Sequence, residues 1–152
     1  MNAVERCKRT MHDTIDLEYS VSRQANAGLD RETLETEFLS VGLYVAGVDN
    51  NIETIEIDLL NYLFDKNYTP QMMGSVIKVL SEAYNGLIVN LQMPGWMLCK
   101  AIDEAEGTQE ATTMYILTVD MIMTLFGAVD GNLNAKEERF IQDFVNRLKR
   151  DR

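Results

Sequence analysis

Leu34, Phe38, Val41, Val45 and Val48 follow one another at spacings of four and three, which is the apolar stripe of an amphipathic helix. The same periodicity covers most of the chain. A first helix is expected over about Val4–Gln24, ending near Gly28, and Asp30 is placed to cap the next one. A third spans about Thr54–Asp65, and Thr69-Pro70 opens a fourth that runs to about Asn85-Gly86. Pro94 starts a fifth at about Gly95–Glu106. A sixth covers about Glu110–Val129 and a seventh about Ala135–Lys149. No segment alternates with period two for long enough to make a strand, and Gly86–Leu91 is the weakest helical stretch. The expectation is an all-α, single-domain bundle of about seven helices over residues 1–152.

The stripe recurs at an offset of 81 residues. Leu34, Phe38, Val41, Val45 and Val48 map onto Tyr115, Val119, Ile122, Phe126 and Val129. Ala46-Gly47 maps onto Gly127-Ala128, small residues that let helices approach closely, and Asp49, Asn51 and Glu56 map onto Asp130, Asn132 and Glu137. Leu59, Leu60 and Leu63 map onto Phe140, Ile141 and Phe144. The chain therefore holds two copies of one unit (apolar helix, acidic turn, apolar helix) at about 30–66 and 110–150, preceded by a helical extension at 1–29. Two such hairpins can pack with approximate two-fold symmetry and bury both stripes together.

The turns read Asp49-Asn50-Asn51-Ile52-Glu53-Thr54-Ile55-Glu56 and Asp130-Gly131-Asn132-Leu133-Asn134-Ala135-Lys136-Glu137. One reading is structural: Asn134 caps a helix with Glu137 three residues on, and acids in a first turn suit the helix dipole. The other is a cation site. Glu56 precedes Leu59 and Leu60, and Glu137 precedes Phe140 and Ile141, by three and four residues, so both carboxylates lean toward the buried face. A buried carboxylate requires hydrogen bonds or a cation. With symmetric packing, Asp49, Glu56, Asp130 and Glu137 converge as oxygen ligands for a divalent ion: Ca²⁺, Mg²⁺, Mn²⁺ or Zn²⁺. An EF-hand is excluded. Its sixth loop position, Gly, is Thr54 and Ala135 here, and its twelfth, Glu, is Leu60 and Ile141.

Charge narrows the partners. The net charge is −10, and residues 32–135 carry 15 acids against 3 bases. That field repels phosphate backbones, so no nucleic-acid partner is expected. A basic or amphipathic protein surface suits it better. The tail Arg147, Lys149, Arg150 and Arg152 suits a helix C-terminus, and would equally meet the acidic face of a second copy in a homodimer. Cys7 and Cys99 fit no paired motif and read as buried, reduced thiols. No signal sequence opens the chain and its longest apolar run, Leu39–Val48, is too short to span a bilayer, so a cytoplasmic protein without membrane insertion is expected. His12 is the single histidine and sits beside Asp13 and Asp16, which leaves no histidine-based catalytic pair with support. Met72, Met73, Met93, Met97, Met114, Met121 and Met123 read first as core filling, with an adaptable peptide groove as the alternative, and Trp96 reads as a core anchor rather than a binding platform. Asp103 and Asp120 read as helix flanks facing solvent or a basic partner, with membership of the acidic site as the alternative.

The second turn, Gly127-Ala128-Val129-Asp130-Gly131-Asn132-Leu133-Asn134-Ala135-Lys136-Glu137, resembles the small-small-x-Asp-Gly-x-apolar-x-x-x-Glu motif of TerB-like (tellurite-resistance) domains, and the first differs only in Asn50 for Gly. Met93-Pro94, Asp103 and Gly107 resemble the linker between the paired motifs. The likeness spans about residues 30–150. It implies a cytoplasmic helical bundle tied to tellurite and general stress resistance, acting by association rather than catalysis, with motif acids that chelate metal. The alternatives are a metal-independent adaptor and, least favoured, a carboxylate-metal hydrolase, for which no further ligand motif is present.

Overall fold

The computed structural model describes residues 1–46, 52–83, 91–129, 131 and 133–152. Among them are seven α-helices and no strand: α1 (Ala3–Ala25), α2 (Arg31–Ala46), α3 (Thr54–Phe64), α4 (Pro70–Ala83), α5 (Pro94–Glu106), α6 (Glu110–Ala128) and α7 (Ala135–Asp151). The boundaries follow local chemistry. Asn2 caps α1 by accepting the Glu5 N–H at 2.9 Å, Asp30 caps α2 through the Thr33 N–H at 2.7 Å, and Asn134 caps α7 through the Glu137 N–H at 2.8 Å. Asn26, Asp65 and Gly107 end α1, α3 and α5 in the left-handed conformation. Of the stretch Gly86–Leu91, all but Leu91 lies outside the described residues.

Helix α6 is the axis of the bundle, packed by α1, α2, α5 and α7. It is the one described helix long and apolar enough to cross a membrane, and more than half of it is covered by its neighbours. Its interface with α1 holds a Thr14–Thr118 hydroxyl pair at 2.9 Å, and each hydroxyl also reaches a carbonyl of its own helix. These short side chains bring two backbones together without leaving a polar atom alone. The interface with α2 depends on Gly42, where a Cβ would stand 2.8 Å from Phe126 Cε2.

Both stripes are in the core. Leu34, Phe38, Val41 and Val45 are buried, as are Tyr115, Val119, Ile122 and Phe126. Val48 lies outside the described residues. Gly127 makes room inside its own hairpin: a Cβ there would meet Leu133 Cδ1 at 2.6 Å and Glu137 Oε2 at 3.4 Å. The small residue at this place thus serves the α6–α7 turn, whereas the close approach between the two units falls on Gly42. Helix α1, which the motif resemblance does not reach, contributes Cys7, Met11 and Ile15 to the same core.

Candidate functional site

Two regions carry unusual chemistry. The first is the end of the bundle from which the acidic turns leave. Asp49 and Asp130 lie outside the described residues. Glu56 is 8% exposed, and its Oε1 accepts the Glu53 N–H at 3.0 Å, closing the first turn of α3. Glu137 is half-buried, and its Oε1 accepts from the Asn134 amide at 2.5 Å. Both carboxylates therefore lean inward and serve helix starts at equivalent positions of the two units.

Packing brings the two ends together. Phe38 meets Tyr115, with ring centroids 5.1 Å apart, and Gly42 meets Phe126, so contacts run in the same order along α2 and α6. Tyr44, near the end of α2, stacks on Phe140, one turn beyond Glu137, at 5.0 Å. Among the described residues no three His, Cys, Asp or Glu side chains are grouped to hold one metal ion.

The second region lies in the middle of the core, and sequence reading passed over its chief residue. Glu18 on α1 is 0% exposed and Glu37 on α2 is 1% exposed. Both reach the first turn of α5. The Gly95 N–H donates to Glu37 Oε1 at 2.8 Å and the Tyr115 hydroxyl donates to Glu37 Oε2 at 2.6 Å. Glu37 is thus a remote cap for a helix whose own N-cap, Met93, has no side-chain oxygen. A Cβ on residue 95 would lie 2.6 Å from Glu37 Oε2 and closer still to Glu18 Oε2, so the two carboxylates crowd one point and any side chain there would have to displace them. Neither oxygen of Glu18 has a hydrogen-bond partner among the described residues.

Electrostatics separate the two acids. Burial pushes the Glu18 carboxyl well above the usual range, and the Glu37 charge pushes it further. Burial also raises Glu37, but donors from Tyr115, Gly95 and Trp96 pull against it. Tyr115 is raised by burial and by the Glu37 charge it faces. Cys99 is free and buried, and burial followed by the nearby acids raises its thiol; burial alone pushes Cys7 up to about 12. Neither thiol is set up as a nucleophile.

The signal for this site was in the helical spacing. Cys7, Met11, Ile15, Glu18 and Ser22 form one stripe, and Glu37 falls between Leu34 and Phe38 on another. A carboxylate on an apolar stripe marks a buried acid.

Asp103 also departs from expectation. It is 7% exposed rather than solvent-facing, and it accepts the Ala111 N–H at 2.8 Å, the Thr112 N–H at 3.0 Å and the Thr112 hydroxyl at 2.5 Å. It caps α6 from the end of α5, and these donors outweigh burial to hold its carboxyl below the usual range. Trp96 is fully buried, as expected of a core anchor, and its Nε1 donates to Asp151 at 2.7 Å. His12 is exposed.

No family model, no curated protein and no solved structure matches the chain.

Proposed function

We propose that the chain is a TerB-like helical interaction domain, not an enzyme, whose paired acidic turns bind a divalent cation and so govern how it engages a protein partner. The observation that carries this reading is the Tyr44–Phe140 stack. It sets the first turns of α7 beside the end of α2, the end from which Asp49 and Glu56 follow. Inward-leaning Glu56 and Glu137 supply hard oxygen donors at matching places in the two units. The acidic middle of the chain favours a basic partner surface over nucleic acid, and two free, buried cysteines suit a reducing, cytoplasmic setting.

The test is thermal unfolding in chelator and then in Ca²⁺, Mg²⁺, Mn²⁺ and Zn²⁺, on the wild type and an Asp49→Asn/Asp130→Asn variant. An ion at about 100 times its Kd adds roughly 2.7 kcal/mol. For a domain of this size that is on the order of 5–10 °C. A shift of that size lost in the variant supports the site. No shift with any of the four ions sinks it.

In that case the second reading stands: a metal-independent adaptor. The cap roles of Glu56 and Asn134 support it, as does the groove of about 290 Å³ between α2 and α4, where Leu39, Tyr68, Val76 and Leu80 adjoin the exposed Val79.

A further inference from the structure

Glu18 is a fully buried carboxyl group with no donor on either oxygen among the described residues. As an ion it would stand unpaired in the core, a state that proteins avoid by holding the group neutral. A neutral carboxyl carries a proton to donate, and Glu37 is the acid beside it. Glu37 Oε2 crowds the same point above Gly95 as Glu18 Oε2.

The surroundings decide which acid is charged. Glu37 takes hydrogen bonds from Gly95 and Tyr115 and faces the N-terminus of α5, all of which favour a negative charge there. Glu18 lies at the same helix end but accepts no hydrogen bond among the described residues. The same donors argue against a cation: an N–H and an O–H both point at the pair. The titratable groups facing it are Tyr115 from α6 and Cys99 from α5, both neutral and both raised by burial. Among the described residues no lysine, arginine or histidine forms an ion pair with either acid.

We propose that Glu18 and Glu37 hold one proton between them, and that this proton fastens the first turn of α5 to α1, α2 and α6, so that its loss loosens the α5 entry. With the proton present, Glu18 donates to Glu37, and Glu37 accepts from Gly95, Tyr115 and Glu18 at once. With the proton gone, two buried carboxylates crowd one glycine, and the first turn of α5 is what can yield. The bundle thus carries a pH-sensitive joint at the start of α5, separate from the acidic turns.

The sign follows from linkage. The folded state holds a proton that the unfolded chain gives up in the ordinary carboxylate range. Stability from it is complete below that range and drains away as pH rises toward the raised folded value.

The experiment is a thermal-unfolding profile of the whole chain from about pH 5 to 9. It compares the wild type with Glu18→Gln and with Asp58→Asn, an exposed acid as control. Trp96, the single tryptophan, adjoins Gly95 and reports on the α5 entry by fluorescence. The wild type and Asp58→Asn are expected to lose melting temperature steadily as pH rises, with a red shift of Trp96 emission. Glu18→Gln, which keeps a donor and cannot ionise, is expected to show a flatter profile, a higher melting temperature than wild type at the alkaline end, and no emission shift. Parallel profiles for wild type and Glu18→Gln overturn the proposal. If Glu18→Gln does not fold, Glu18→Met removes the acid with an apolar chain, and the same comparison of slopes decides.

Discussion

Replacing Gly95 by alanine adds one methyl group at the most crowded point of the core. The new Cβ would stand 2.6 Å from Glu37 Oε2 and nearer to Glu18 Oε2. Residue 95 is in the first turn of a helix started by Pro94, so the backbone is tied and the carboxylates must move. If Glu37 retreats, it gives up the Gly95 N–H at 2.8 Å and strains the Tyr115 hydroxyl at 2.6 Å. A hydrogen bond to a charged group contributes about 1.5–3 kcal/mol. Overpacking adds about 1–3 kcal/mol more, against a gain of up to about 1 kcal/mol from the helix propensity of alanine. The net expectation is a loss of about 3 kcal/mol, or a fall of roughly 6–12 °C in Tm for a domain of this size. Gly74, in the middle of α4, has nothing within 4 Å of its would-be Cβ, so Gly74→Ala should gain up to about 1 kcal/mol. Thermal and urea unfolding of both variants checks the contrast. If Gly95→Ala is as stable as the wild type, the crowding of Glu18 and Glu37 around residue 95 is wrong.

Asp103→Asn weakens the cap on α6, and urea unfolding should show a loss of about 1–2 kcal/mol at neutral pH. Because the folded-state carboxyl of Asp103 is depressed, its contribution is present above the unfolded carboxylate range and is lost as pH falls through its folded value. The gap between wild type and Asp103→Asn should therefore shrink in acid, and a gap that stays constant there refutes the capping role. Gly42→Ala places a methyl 2.8 Å from the Phe126 ring and should destabilise, with Phe126→Leu restoring part of the loss in a double-mutant cycle. Additive effects would mean that α2 and α6 do not cross at Gly42.

What the sequence determined by itself was the set of helices. Stripes with helical period, Asp30 and Asn134 as caps and Pro94 as a first-turn residue are local signals, and each acts within a turn or two of its own position. The inward lean of Glu56 and Glu137 was legible for the same reason, since it needs only the helical angle between neighbours. Asp103 was misplaced because its partners, Ala111 and Thr112, belong to the next helix and reach it only through the fold of the α5–α6 connection. The acid pair lay further out of reach. Glu18 and Glu37 each sit on an apolar stripe, which marks them as buried, but their meeting point is set by four helices from distant parts of the chain. Which oxygen faces Gly95, which accepts from Tyr115 and which is left alone are outcomes of how α1, α2, α5 and α6 cross. Crossing is decided by the shapes of whole packed faces rather than by any one residue's spacing.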